Sequence, residues 1–412
     1  MNGKAITPST TAKLLGVIFD HELRWKEHVQ QVVKRATKVN IALGGLRQLR
    51  PEQMRQLYEA CVAPVVEYAS TVWHDPLRDK THLRHLRTVQ RAALTRILSA
   101  FRTVATSTLE VEADVLPSHL RLRYRAQTTI TKLHTLPRKH PIWDTLLRAQ
   151  RRRNNIGTYA RFPLTEALKT MSLERLHELE MIDPTPLTPW RTEAFWKIEI
   201  EPDREIAIER AVAARSKSDV VVYSDASERH GHLGAAAIGF NNSSPETTES
   251  LQIQVGQMDR WSVHAAELIG VLYAINLINK IALQRQRSTS KQAKSATILS
   301  DIIHSILRTA TNTKTHGIAI CLQWVPGHCD EPGNEAADRL AKAAAIPGQT
   351  HPFHPLLSRE RAHTRKRIHA QWEREWKESR NGNHLRKLDN SLPAKYTFEG
   401  LWELGDMMRS LR

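Results

Sequence analysis

The chain has 412 residues, 41% of them hydrophobic, with 60 Lys and Arg against 43 Asp and Glu, a formal net charge of +17. That length gives room for two or three domains with sizeable cores, and the charge favours polyanionic partners. No apolar run approaches the roughly 18 residues of a membrane span, the N-terminus lacks a signal-peptide core, and three cysteines (Cys61, Cys321, Cys329) lack metal-site spacing, so membrane, zinc and disulfide-scaffold classes are set aside and an intracellular, reducing compartment is expected.

From Ala12 to Ile142 the pattern is helical. "AKLLGVIFD" reads as a short strand. "HVQQVVKRATKVNIALGGL" then places Val29, Val32, Val33, Ala36, Val39 and Leu43 on one face, with Gly44-Gly45 as a stop. "PEQMRQLYEACVAPVVEYAS" starts with Pro51 in a first-turn position. "LRHLRTVQRAALTRIL" and "LRLRYRAQTTITKLHTL" repeat the amphipathic spacing. Residues 1–150 carry a net +12, spread over several helices, which predicts nucleic-acid binding without sequence preference. Residues 151–217 read as linker, with "DPTPLTPW" inside it, and "RKHPIWDTLLRAQRRRNNIGTYA" as a linker approach from residue 138.

Beyond Asp219 the pattern changes. "DVVVYSDAS" and "ATILSD" are short apolar runs ending in Ser-Asp, "LGAAAIGF" and "LQIQVGQ" are further strand candidates, and "GIAICLQWV" alternates as a strand does. Helical stretches intervene at 262–281, 302–311 and 333–345, so residues 218–346 predict a mixed α/β domain. Residues 347–412 read as a basic helical tail, with Trp372 and Trp376 one turn apart.

Four carboxylates stand out in an acidic island, residues 201–250 having a net −4 within a basic chain. Val220–Tyr223 and Thr297–Leu299 read as buried strands, followed by Asp225 and Asp301. Adjacent parallel strands would set these side by side at their carboxyl ends, where open α/β sheets place ligands. Glu267 lies on the apolar helix "SVHAAELIGVLYAINLI" with no Lys or Arg within a turn. It needs a charge partner from elsewhere, or its pKa rises. Asp338 borders the buried stripe of "GNEAADRLAKAAA". Each has an ordinary alternative: a turn or helix cap for either Asp, a rim position for Glu267, an i,i+4 pair with Lys342 for Asp338. Converging carboxylates repel one another unless cations neutralise them, and hard oxygen ligands select Mg²⁺ or Mn²⁺. Two such ions can clamp a phosphodiester. His328, in a loop with Pro326, Gly327 and Pro332, is placed to move protons. The four carboxyl groups are expected around one cleft, with neither Glu267 nor Asp338 on the opposite face of the sheet.

The pieces "YSDAS", "HAAEL", "LSD" and "GHCDEPGNEAAD" together resemble the type 1 ribonuclease H family over about 130 residues. The resemblance implies a five-stranded mixed sheet flanked by helices, two Mg²⁺ ions, and endonucleolytic hydrolysis of the RNA strand of RNA/DNA hybrids. It makes Asp225, Glu267, Asp301 and Asp338 the metal ligands and His328 a catalytic helper. "KLLGVIFDHELRWKEHV", "LYEACVAPVVEYASTVW" and "QWEREWKES" look like segments that flank ribonuclease H in non-LTR retrotransposon polyproteins, of a fungal type. By that likeness residues 1–150 are an all-helical remnant of a reverse transcriptase, its basic helices holding RNA or DNA. The aromatic-x-Asp-Asp signature of a polymerase is absent from residues 1–217, so no reverse-transcriptase activity is expected. Where family members often follow the third Asp with Ser and Gln, this chain has Ile302 and Ile303, which predicts weaker hybrid binding. The alternative is a catalytically silent fragment that binds nucleic acid without cutting it.

Overall fold

A computed structural model describes residues 9–46, 48–74, 80–151, 163–182, 190, 193–218, 220–241, 249–286, 302–327, 329, 331–346, 350–388 and 392. The chain divides into two compact units, one of Met1–Leu133, Pro141–Leu173 and Ala362–Arg412, the other of His134–His140 and Glu174–Arg361.

In the first unit, β1 (Thr11–Leu14) and β2 (Val17–Asp20) pair antiparallel. The sequence "AKLLGVIFD" is thus a hairpin and not the single strand expected. Leu15 and Gly16 form its turn, with φ of 47° and 83°, the left-handed pair that a two-residue hairpin loop requires. Helix α1 (Lys26–Leu43) follows. Its Val29, Val32 and Ala36 are buried, and Val33, Val39 and Leu43 pack at the rim of the same core, the face its periodicity predicts. Then come α2 (Pro51–Leu57), a π-helical turn at Tyr58–Val62, α3 (Ala63–Glu67), α4 (Ser70–Trp73), α5 (Lys80–Ile97), α6 (Thr106–Glu112), α7 (Ser118–His134), α8 (Ile142–Arg151) and α9 (Pro163–Lys169). Leu86, Val89, Ala93, Leu94 and Ile97 of α5 close the core over α1.

Further elements are α10 (Leu173–His177), β3 (Lys197–Glu199) and α11 (Arg204–Lys217). These, with α8 and α9, occupy stretches expected as linker. The signal in α11 is local: Asp203 accepts from the Glu205 and Ile206 N–H groups at 3.0 and 3.1 Å and caps the helix. The stretch "DPTPLTPW" lies almost wholly outside the described residues.

The second unit is built on β4 (Val220–Arg229), β5 (His232–Asn241) and β6 (Glu249–Gln257), an antiparallel sheet in the order β4-β5-β6. Helices α12 (Val263–Gln286), α13 (Ile302–Thr315) and α14 (Pro332–Ala344) follow, with β7 (Cys321–Gln323) between the last two. The expected five-stranded sheet is not what the described residues form. They show three strands, and β7 pairs parallel with β3 as a separate ladder. The strand expected at 297–299 lies outside them.

Alternation along the strands sends side chains to two helical layers. Val220, Val222 and Ala237 pack with Ala274, Leu277 and Ile281 of α12, while Tyr223 and Ile238 pack with Ala337 of α14. Helix α14 comes very close: a Cβ added at Gly234 of β5 would stand 2.3 Å from the Ala341 carbonyl oxygen, and one at Gly333 the same distance from the Tyr223 ring.

The last helices, α15 (Leu357–Glu378) and α16 (Asn383–Leu388), fall in the expected basic tail. It is no detached tail: Ile368, Trp372 and Trp376 are buried with Val111 and Leu120 in the first unit's second core. None of the three cysteines is disulfide-bonded, and no helix among the described residues is long and apolar enough to cross a membrane.

Replacing Gly234 with Ala forces helix and sheet apart. The expected loss is about 1–3 kcal/mol, the usual cost of overpacking, read as a lowered midpoint in urea unfolding. An unchanged midpoint would show that α14 yields freely.

Candidate active site

Asp225 sits six residues into β4, opposite Ala236 of β5. Among the described residues β4 is the edge of its sheet. Asp225 shares its strand parity with Val221 and Tyr223, which pack against α14. The Ala226 N–H donates to Asp225 Oδ1 at 2.8 Å.

Glu267 comes from the first turns of α12, on the other face. Ser262 starts that helix, its hydroxyl accepting from the Ala265 N–H at 3.2 Å, which places Glu267 one turn in. The neighbouring Ala265, Ala266 and Ile269 are buried. Helix α12 passes close to β4 at Gly270, where a Cβ would make ordinary contact at 3.6 Å with both the Asp225 carbonyl oxygen and Ser224 Cβ. Burial, then the nearby Asp225 carboxylate, push the Glu267 pKa up to about 7, against a hydrogen bond from the Ala226 N–H that lowers it. Among the described residues, no cation is one of the causes of the Glu267 shift. Two carboxylates share the Ala226 amide at the edge of β4, and that pair attracts positive charge.

Asp338 comes from α14. Its Oδ2 receives Lys342 Nζ at 2.6 Å, the i,i+4 pair that was the ordinary alternative for this residue. Lys342 is held above its usual pKa first by the hydrogen bond to Asp338 and then by its charge, with Asp225 adding to the effect. Lys342 thus lies in the field of both carboxylates. Asp301 and His328 fall outside the described residues.

The expectation that Glu267 and Asp338 share one face of the sheet is overturned. Helix α12 covers one face and α14 the other. The reason is that alternate residues of β4 and β5 face opposite helical layers, which a one-face argument did not consider. Among the described residues no group of three His, Cys, Asp or Glu side chains is arranged to hold a metal ion. The donor chemistry that is present, two adjacent carboxylates with one pushed towards neutrality, suits a hard divalent cation.

Beneath the site is a pair that sequence reasoning missed. The Tyr223 hydroxyl donates to Glu331 Oε1 at 2.8 Å, and Arg215 pairs with the same oxygen at 3.4 Å. Glu331 precedes α14 and is buried, so this bond pins the start of the helix that carries Asp338. Its only sequence signal was Tyr223 ending an otherwise aliphatic strand run.

A mixed α/β unit with one carboxylate on β4 and another on the helix packed against it agrees with the comparison to known families: residues 217–346 match the RNase H family. Over 130 residues, 30% of this chain, it is 28% identical to a 115 kDa protein in the type-1 retrotransposable element R1DM of Drosophila melanogaster, covering 12% of that protein. It is 29% identical over 119 residues, 28% of the chain, to the RNA-directed DNA polymerase from mobile element jockey of Drosophila funebris, covering 13% of it. It is 27% identical over 117 residues, 27% of the chain, to the retrovirus-related Pol polyprotein from type-1 retrotransposable element R1 of Nasonia vitripennis, covering 34%. The chain thus carries an RNase H domain in a retrotransposon-like setting and matches only a fraction of each relative. These relatives are insect proteins and give the expected fungal origin no support.

Ile302 and Ile303, the first residues of α13, have different fates. Ile302 is buried in the core beneath α12, whereas Ile303 is 47% exposed. Ile302→Ser should therefore cost about 2–4 kcal/mol by leaving a cavity and burying a hydroxyl, while Ile303→Gln should stay within about 0.5 kcal/mol, both read by chemical denaturation. Equal costs would contradict this placement.

The Glu267 shift has a definite sign. Its pKa rises from 4.5 to about 7 on folding, so stability is lost as pH climbs between those values and the full loss persists above. In metal-free protein, Glu267→Gln should raise Tm at about pH 8 and leave it unchanged at about pH 4. With the group only partly buried, the gain is on the order of 1 kcal/mol, or about 2–4 °C. Thermal melts at the two pH values decide it, and equal shifts at both would remove the electrostatic cause.

Proposed function

We propose that the RNase H domain hydrolyses the RNA strand of RNA/DNA hybrids endonucleolytically, with a divalent cation, Mg²⁺ or Mn²⁺. The observation that carries this is the Asp225–Glu267 carboxylate pair, within the family match, with Glu267 pushed up to about 7 by burial and then by Asp225. Asp225 and Glu267 would hold the first ion. A second ion calls on Asp301 and Asp338, with His328 assisting proton movement; those three roles rest on the sequence resemblance. The metal, when bound, supplies charge neutralisation at the phosphate and an acidified water. The chain's own part is to hold Asp225 on β4 beside Glu267 of α12, to share the Ala226 amide between them, and to keep Lys342 beside Asp338, where metal binding must displace it. Wide-groove shape and 2′-OH contacts distinguish a hybrid from a DNA duplex. Polymerase chemistry is not part of this proposal, since residues 1–217 lack the paired Asp that it needs.

One observation favours a second reading. The Lys342–Asp338 ion pair already satisfies one proposed ligand, as it would in a silent fragment that binds nucleic acid without cleaving it.

A labelled RNA/DNA hybrid incubated with the full chain decides between them. Cleavage is expected with Mg²⁺, none in chelator, and none beyond background for Asp225→Asn. That variant should keep its fold, with apo stability equal or slightly higher because a repulsion is relieved. Lys342→Gln should lower the Mg²⁺ needed for half-maximal rate. No cleavage by the parent at any metal concentration establishes the silent reading, and undiminished cleavage by Asp225→Asn removes this residue from the site.

A further inference from the structure

In the first unit, α7, the Thr170 end of α9 and α15 enclose a cleft of about 590 Å³. Four cations line it: Arg123 from α7, and Arg367, Arg374 and Lys377 from α15. One acid, Glu373, also lines it, and is paired with Lys377 at 2.7 Å. Arg367 and Arg374 make no ion pair among the described residues, and both are exposed. Arg123 is held in place by the Gln371 side-chain oxygen at 2.7 Å, and Arg367 by the Thr170 carbonyl.

Positions 367, 374 and 377 run down one side of a helix. At 1.5 Å per residue they spread over about 15 Å. A row of that length reaches several phosphates of one strand, which recur at about 3.4 Å along a duplex axis and more widely when extended. Neutral donors sit among the cations: Gln127, Thr170 and Gln371. Gln127 is buried and bonded to the Thr170 hydroxyl at 2.7 Å, so the floor is preorganised. Guanidinium forks with neutral hydroxyl and amide groups are the donors that phosphate oxygens accept. Among the described residues, the cleft lining has no aromatic side chain on which a base could stack.

We propose that this α7–α15 cleft binds the phosphodiester backbone of nucleic acid, without reading bases. The site stands apart from the hydrolytic reading and survives its failure. It also narrows the general expectation that the net positive charge of residues 1–150 binds nucleic acid: the row of cations is supplied mostly by residues 367–377, which that expectation did not include.

The test uses the full chain in chelator, with a fluorescein-labelled RNA of about 20 nucleotides, read by anisotropy across a salt series. Arg367→Gln/Arg374→Gln/Lys377→Gln removes three cleft cations. Each phosphate contact contributes about 0.7 to the salt slope for single strands. The slope should therefore fall by about 2, with affinity down at least about tenfold near physiological salt. Lys13→Gln/Lys34→Gln/Lys38→Gln removes the same charge from exposed positions elsewhere in the unit and should change the slope far less. Oligo(A) and oligo(U) should bind alike. Arg367→Lys/Arg374→Lys keeps the charge and should keep the parent's salt slope, losing only the part of the affinity that the guanidinium forks add. Equal slope changes in the two triple variants would show diffuse attraction and overturn the site. So would a loss in the lysine variant as large as in the glutamine one, which would mean that the guanidiniums serve packing. Displacement of the RNA by polyglutamate of matched charge as readily as by RNA would assign the cleft to an acidic protein instead.

Discussion

Everything at the candidate site depends on how closely α14 can approach the sheet. A side chain at Gly234 would run into the helix backbone, and one at Gly333 into Tyr223. Ala337, Ala341 and Ala344 continue the small surface along the helix. Backbone therefore rests nearly on backbone, which fixes the height of α14 over β4 and β5 more tightly than larger interdigitating side chains would. The Tyr223–Glu331 bond fixes its position along the strands. Asp338 is placed by this contact.

Against that rigid frame the electrostatics are unbalanced. Glu267 and Asp225 lie on either side of one amide, and burial weakens the screening of Glu267 by bulk water. Lys342 offsets part of this charge from the α14 side. A protein selected for stability alone would place an apolar residue at 267. A destabilised carboxylate kept on an otherwise apolar helix is the pattern of a site whose chemistry requires it.

The carboxylate argument was legible because it was local. The isolation of Glu267 on α12 could be read from its own neighbours, and so could the Asp338–Lys342 pair. Strand runs ending in "YSDAS" and "LGAAAIGF" declared β4 and β5 through continuous apolar composition. The α1 face followed from its 3.6-residue period. What could not be read was non-local. The hairpin at Leu15-Gly16 hid because two four-residue strands look like one apolar run. Strand β3 has three residues and exists through its pairing with β7. That Glu267 and Asp338 approach from opposite faces is a property of the helix–sheet–helix layering, which no single element reveals. Trp372 and Trp376 one turn apart announced a buried stripe, but not that its counterpart lay at Val111 and Leu120.

That last pairing joins residues about 250 positions apart, and the whole RNase H segment lies between them. During synthesis, α6 and α7 emerge long before the tryptophans that cover them. Their apolar surface must wait, exposed or shielded by other means, while the intervening residues are made. The RNase H domain can condense in that interval. Its neighbour cannot finish until α15 arrives, so a chain cut short between Arg361 and Ile368 would carry the second unit whole and leave the first open to proteolysis.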